Sequence, residues 1–101
     1  MRPFKVNSNL CYNSAMPSIS VFFGINVRMF YNEHFPPHFH VEYAEYKAEI
    51  SIETLEVLAG KLPPRVLALI LEWASQHRTE LREDWNLCLE KKKLNPIQPL
   101  E

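Results

Sequence analysis

The sequence predicts an α+β fold in which an antiparallel sheet comes first and two helices follow. Between Ser18 and Ile52, apolar and polar residues alternate with a period of two, and β-branched and aromatic residues dominate. This pattern is typical of strands with one buried face. From Pro63 onward, the apolar residues recur with helical spacing instead. We therefore predict a three- to four-stranded antiparallel sheet followed by two C-terminal helices packed on one of its faces.

Composition restricts the classes of protein to which this chain can belong. Its 101 residues are 47% hydrophobic and carry a formal net charge of −1, which fits one globular domain and is atypical of disorder. No apolar run approaches the roughly 18 residues of a membrane span, so we expect no membrane association. The only glycines are Gly24 and Gly60. Two isolated glycines exclude a P-loop and a dinucleotide-binding loop, which need several close approaches of backbone to phosphate.

The first 15 residues differ from the rest of the chain. They are polar, lack a clear period and contain no apolar stretch of the kind found in secretory signals. We expect residues 1–15 to be a flexible N-terminal extension, or the product of an early start assignment that precedes Met16. Residues 16–101 are predicted to form a single α+β domain, located in the cytoplasm. Cys11 and Cys88 make neither a disulfide framework nor a zinc motif, so both are predicted to be free thiols.

Two strands are predicted before a proline-rich break. The first, over residues 18–23, has an apolar face formed by Ile19, Val21 and Phe23. The second, over residues 25–31, has an apolar face formed by Ile25, Val27, Met29 and Tyr31. Arg28 and Phe30 belong to the opposite face of this strand. Pro36 and Pro37 interrupt the pattern, because proline cannot donate to a strand ladder.

A β-hairpin is predicted over residues 38–52, with Ala44 and Glu45 as a two-residue loop. This loop places Val41 beside Ala48, and it also pairs apolar Phe39 with Ile50. On the other face, it creates three polar cross-strand pairs: Glu42 with Lys47, His40 with Glu49, and His38 with Ser51. The assignment of faces is self-consistent, as an antiparallel hairpin requires.

Two helices are predicted after a connection over residues 53–62. Pro63 and Pro64 suit the first turn of the first helix, which is apolar on nearly every side. Thr79 is predicted to cap the second helix. The buried stripe of that helix is expected to contain Leu81, Trp85 and Cys88. The tail after Leu94 contains two prolines and should be extended.

A polar patch is predicted where three of the four histidines fall within seven residues. His38 and His40 project from the same strand face, since side chains two residues apart share a face. Arg28 lies on the polar face of the preceding strand, and Glu42 and Glu49 complete the patch. Strand histidines are also common as solvated residues with cross-strand hydrogen bonds. The clustering beside two prolines and an arginine is what favours a functional site.

Several kinds of chemistry fit this patch. General acid–base cleavage of RNA would use His38 and His40 for proton transfer and Arg28 to bind phosphate, without a cofactor. A metal site would instead use His34, His38 and His40, with zinc or another divalent transition metal as the ion. A non-enzymatic module would bind a small protein partner through the sheet edge or the polar face. The residues predicted to contact the substrate are Tyr31, Glu33, Glu42 and Glu49.

The sequence resembles a small prokaryotic domain-of-unknown-function family, number 4160. The resemblance runs from Met16 to the C-terminus, and it is carried by the EH-x-PPHFH element at residues 33–40 and the GKLP element at residues 60–63. It supports Met16 as the natural start. The hairpin tip departs from the family, because this chain has Ala44 and Glu45 where the family is usually glycine-rich.

The resemblance implies no established activity, but it implies a genetic setting similar to toxin–antitoxin pairs. The order of strand histidine, further strand and helix is also similar to small toxins that cleave messenger RNA, which is an analogy of fold alone. We therefore expect a module of a toxin–antitoxin-like pair that binds or cleaves RNA through its polar sheet face. Its expected partners are RNA and a small protein encoded by a neighbouring gene.

Overall fold

The computed structural model describes residues 17–31 and 34–101, which form a five-stranded antiparallel sheet followed by two helices. Each strand pairs with the next one along the chain, so the sheet is a meander. The α+β class is confirmed, but the described sheet has five strands rather than three or four. The predicted extension over residues 1–15 lies outside the described residues. The elements are β1 (Ser18–Phe22), β2 (Ile25–Arg28), β3 (His38–Tyr43), β4 (Tyr46–Ser51), β5 (Val57–Gly60), α1 (Pro64–Gln76) and α2 (Arg78–Leu89).

The predicted β3–β4 hairpin is confirmed pair by pair. Val41 lies opposite Ala48, and Phe39 lies opposite Ile50, with all four side chains buried. The three predicted polar pairs are also present, namely His38 with Ser51, His40 with Glu49, and Glu42 with Lys47. Ala44 in the loop adopts a positive φ of 53°. The register thus follows from the hydrophobic pattern even though the loop lacks an Asn-Gly signal.

The fifth strand, β5, lies within the segment that was predicted to be a connection. Its four residues are all exposed, so they show no alternation between a buried and an exposed face. A period-two pattern arises only where one face is buried, and a strand without it gives no periodic signal. β5 pairs with β4, with Ala59 opposite Glu49 and Gly60 opposite Ala48.

The predicted apolar face of β1 is wrong beyond Ile19. Ile19 and Phe22 are buried, whereas Val21 and Phe23 are each 60% exposed. The register between β1 and β2 shifts between Ser18 and Ser20, which indicates a bulge. One extra residue in a strand exchanges the two faces for every residue that follows it. The outward position of Val21 is therefore a consequence of this bulge.

Helix α1 covers the apolar face of the sheet through Trp73. The Trp73 ring is fully buried and packs against Phe22 and Phe39, with ring centroids 5.5 and 6.1 Å away. Its indole N–H donates a hydrogen bond of 2.9 Å to the carbonyl oxygen of Gln98. Trp73 therefore joins the sheet, the helix and the C-terminal tail.

Replacing Trp73 with phenylalanine should lower the free energy of unfolding by about 1–2 kcal/mol. The phenylalanine ring keeps part of the packing, but the hydrogen bond to the Gln98 carbonyl oxygen is lost. Trp85→Phe is the matched control, because the buried Trp85 Nε1 has no hydrogen-bond partner among the described residues. Urea unfolding of both variants measures the difference. An equal loss in both would show that the Gln98 bond contributes nothing.

Helix α2 begins two residues earlier than predicted. Its N-cap is His77 rather than Thr79, and no side chain caps the helix. The His77 ring nitrogen Nδ1 pairs instead with Glu80 Oε1 at 2.5 Å. The predicted buried stripe is confirmed for Leu81, Trp85 and Cys88. Neither α1 nor α2, the two helices of the described residues, has the length and hydrophobicity that a membrane span needs.

The extended tail after α2 is held by a buried carboxylate and by β1. Asp84 Oδ1 accepts a hydrogen bond of 2.9 Å from the Asn95 N–H, and the Ile97 N–H donates one of 2.8 Å to the Ile19 carbonyl. Burial raises the pKa of Asp84 to about 6. Burial also raises the pKa of the free Cys88 thiol to about 11, which keeps it protonated and unreactive at neutral pH.

Candidate functional site

The polar face of the sheet contains an open groove of about 360 Å³. It crosses from β3 over β4 to β5, and Phe30, two residues after the end of β2, also lines it. Its polar side chains come from the sheet face opposite α1, and the buried core residues Val41 and Ala48 also line it. The residues that line the groove are Phe30, His40, Val41, Glu42, Lys47, Ala48, Glu49, Ala59 and Gly60.

His40 lies at the centre of a polar row that crosses three strands. Arg28 on β2 and Glu49 on β4 both lie opposite His40 in the strand register. The His40 ring stacks on Phe30, with centroids 4.0 Å apart and an angle of 10° between the planes. This stack restricts the orientation of the imidazole while its edge borders the groove. The row thus combines a cation, an imidazole and a carboxylate beside one aromatic ring.

His38 is held by a backbone carbonyl on one side and faces a carboxylate on the other. Its Nδ1 lies 2.7 Å from the Pro36 carbonyl oxygen. A carbonyl oxygen can only accept, so the proton of this bond is on Nδ1. Its Nε2 lies 3.8 Å from Glu49 Oε1. A ring fixed in this way by its second nitrogen is typical of histidines that orient a neighbouring group.

The side chain of His38 is only 4% exposed, although it belongs to the polar face. Trp85 of α2 covers it, with ring centroids 5.3 Å apart, and Phe35 packs against Trp85 at 6.0 Å. The His40 ring lies 5.2 Å from the His38 ring on the other side. His38 is therefore screened from solvent, and of the two strand histidines only His40 borders the groove.

Arg28 contacts the groove through an ion pair. Its Nε lies 3.3 Å from Glu42 Oε1, and both side chains are about one quarter exposed, at 28% and 27%. Lys47 lies opposite Glu42 on the far side of β3. Two cations thus flank one carboxylate, and an incoming phosphate would compete with Glu42 for Arg28.

The structure brings some of the predicted site residues together and separates others. His40, Glu42 and Glu49 line the groove, while Arg28 and His38 contact that set through Glu42 and Glu49. Tyr31 lies elsewhere: its hydroxyl donates a hydrogen bond of 2.8 Å to the Lys92 carbonyl. Burial raises the pKa of Tyr31, and the nearby Cys88 and Asp84 raise it further.

Two further predicted residues lie outside the groove. His34 is exposed, with its ring 6.4 Å from that of His38, and Glu33 lies outside the described residues. Over residues 17–31 and 34–101, no three His, Cys, Asp or Glu side chains meet in an arrangement that could hold a metal ion. The described geometry therefore lends no support to a metal centre at His34, His38 and His40.

Sequence reasoning missed three features of this site. Phe30 and Lys47 had a usable signal, because both are in phase with the polar faces of their strands. Ala59 and Gly60 had none, since β5 shows no alternation. The sequence predicts Trp85 only as a core residue. Its contact with His38 joins positions far apart in the chain, which a local pattern cannot indicate.

Comparison with known proteins identifies the family but not an activity. No curated protein and no solved structure matches the chain. Residues 24–86 match the family described as a domain of unknown function, DUF4160. The match includes β2 to β5, α1 and most of α2, and therefore every described residue of the groove. The chain belongs to the DUF4160 family.

Proposed function

We propose that the polar sheet face binds single-stranded RNA and cleaves it, with His40 as the group that transfers the proton. The observation that carries this proposal is the row of Arg28, His40 and Glu49 beside the groove. The groove volume of about 360 Å³ suits one nucleotide unit. The Phe30–His40 stack offers an aromatic surface for an unpaired base, which is how proteins commonly hold single-stranded RNA.

The burial of His38 changes the role that we propose for it. A general acid must come within hydrogen-bond reach of the proton that it donates. At 4% exposure and beneath Trp85, His38 is better placed to orient Glu49 than to touch substrate. Glu49 in turn lies opposite His40. We therefore assign His40 as the catalytic residue and His38 as a positioning residue.

Arg28 supports this assignment as the phosphate contact. Arg28 is at the end of the row on β2, beside His40. The N–H donors of its planar guanidinium can bind a phosphate through two hydrogen bonds. The Glu42 pair at 3.3 Å holds Arg28 at the groove in the absence of RNA. Pairing with a small protein from a neighbouring gene is part of the same proposal and rests on the family resemblance alone.

Cleavage of a fluorescent single-stranded RNA by the purified full chain, with EDTA present, tests this function. His40→Ala should lower the cleavage rate by about 10²–10⁴-fold, the usual contribution of a proton-transfer group. Arg28→Ala should weaken RNA binding. His77→Gln is the matched control, because His77 lies at the junction of α1 and α2, and glutamine can keep a hydrogen bond to Glu80.

Each outcome of this experiment has a distinct meaning. If the wild type binds RNA but does not cut it, the domain is a binding module and His40 has no catalytic role. Cleavage that stops with EDTA would contradict metal-free chemistry. A wild type that neither binds nor cuts RNA, while its thermal melt shows a folded domain, would contradict the proposed function as a whole.

A further inference from the structure

The two edges of the described sheet differ. At β1, the Ile97 N–H donates to the Ile19 carbonyl, so the C-terminal tail reaches this edge strand. At β5, the flanking backbone bonds both run inward to β4: Ser51 N–H to Glu56 carbonyl at 2.9 Å, and Lys61 N–H to Lys47 carbonyl at 3.0 Å. No segment within residues 17–31 and 34–101 pairs with the outer side of β5. Within the described part of the chain, that side therefore leaves backbone donors and acceptors open to a further strand.

β5 is short, but its sequence lacks two of the usual protections of an edge strand. Natural proteins place Lys or Pro on exposed edges to prevent pairing with another chain. The strand Val57–Gly60 contains neither residue, and its largest side chains, Val57 and Leu58, are 40% and 43% exposed. The irregularity in its register lies beside Ile50 and concerns the pairing with β4. An apolar, open edge of this kind favours the addition of another strand.

The charges around β5 are self-complementary. Glu56 precedes the strand and Lys61 follows it, and both are exposed. In an antiparallel pair of two β5 strands with Leu58 opposite Ala59, Glu56 of each copy lies opposite Lys61 of the other. Opposite charges that face each other across strands are stabilising, and like charges are destabilising. A second copy of this chain thus satisfies the apolar centre and both charged ends.

We propose that β5 pairs with β5 of a second copy and joins the two sheets across a two-fold axis. Ala59 and Gly60 border the groove on the polar face, so the second copy would extend the groove wall. The proposal goes beyond RNA cleavage and does not depend on it. Pairing two four-residue strands buries less surface than a standard protein–protein interface, which buries about 1,600 Å². The dimer should therefore be weak and concentration-dependent.

Charge reversal tests this proposal in the full chain. By symmetry, Glu56→Lys places like charges at both ends of the pair, and so does Lys61→Glu. Sedimentation velocity over a range of concentrations should show that each variant dimerises about tenfold more weakly, or worse. The double reversal should restore dimerisation. An equimolar mixture of the two single variants should form a heterodimer, because Lys then faces Glu at both ends again.

A further variant and a control keep the test decisive. Leu58→Lys places a charge at the centre of the pair and should abolish the dimer, whatever happens at positions 56 and 61. Thermal melts monitored by circular dichroism should show that all variants fold, because the replaced side chains are exposed. A wild type that is monomeric at every concentration overturns the proposal. So does a dimer that tolerates both single reversals, or a chain that pairs only with a different protein.

Discussion

Gly60→Ala is expected to lower the free energy of unfolding by about 3 kcal/mol or more. Gly60 has a φ of +76°, a conformation that L side chains rarely adopt. A Cβ at this position would also lie 2.1 Å from the Lys47 carbonyl oxygen and 3.0 Å from the Ala48 Cα. These are backbone atoms, which cannot rotate away. The β4 and β5 strands would have to separate where the Lys61 N–H donates to the same carbonyl.

Gly24→Ala is the matched control for this experiment. Gly24 has nearly the same φ, +77°, but among the described residues its Cβ would meet only the Tyr43 ring, at 3.6 Å, which is an ordinary contact. Its expected cost is therefore the backbone term alone, about 1–2 kcal/mol. Urea unfolding of the two variants separates the clash from the conformational cost. Equal losses would show that the β4–β5 contact relaxes freely.

Asp84→Asn is expected to change the pH dependence of stability. The Asp84 carboxyl group is 1% exposed, and its Oδ2 has no hydrogen-bond partner among the described residues. Burial is the main cause that raises its pKa from 3.8 to about 6; the charges of Glu83 and Glu80 add to it, and the Asn95 N–H opposes it. The folded state therefore holds this proton more tightly than the unfolded state does.

The sign of the effect follows from this proton. The protonated Asp84 favours folding fully below pH 3.8, and that contribution is lost as the pH rises through about 6. Each pKa unit corresponds to about 1.4 kcal/mol, so the loss is about 3 kcal/mol. Asparagine stays neutral and still accepts from the Asn95 N–H. Relative to the wild type, Asp84→Asn should gain about 3 kcal/mol between pH 3.5 and pH 7.

Urea unfolding at those two pH values measures the Asp84 effect. Glu83→Gln provides the comparison, because Glu83 is the exposed neighbour on the same helix and makes a smaller contribution to the pKa of Asp84. Its stability relative to the wild type should change much less with pH. If the difference between Asp84→Asn and the wild type were constant over this range, the buried carboxyl group would not be the source of the pH dependence.

Much of the sheet could be predicted because one of its faces is buried. The β3–β4 register follows from the alternation that pairs Val41 with Ala48, and it is correct at every predicted pair. The same rule fails where its physical basis is missing. The bulge after Ser18 exchanges the faces of β1, and the exposure of all of β5 removes the alternation. Neither feature leaves a trace in a period-two pattern.

The candidate site was predictable in its position but not in its accessibility. Alternation placed His38, His40 and Arg28 on one face, and the register aligns Arg28 with His40. It could not distinguish the two histidines. That distinction comes from Trp85, which closes over His38 from a helix far along the chain. The alternation of residues along a strand indicates which face a side chain occupies. Whether the side chain is buried on that face depends on tertiary packing.

The contact between Trp85 and His38 gives the site an intrinsic optical reporter. The Trp85 indole lies 5.3 Å from the His38 imidazole, measured between ring centroids, so its emission depends on the position of that ring. The chain has two tryptophans, so Trp73→Phe leaves Trp85 as the sole indole fluorophore. Its emission would then respond to any occupant of the groove that shifts Glu49 and, through Glu49, the His38 ring. Ligand binding at this site can therefore be followed without an added dye.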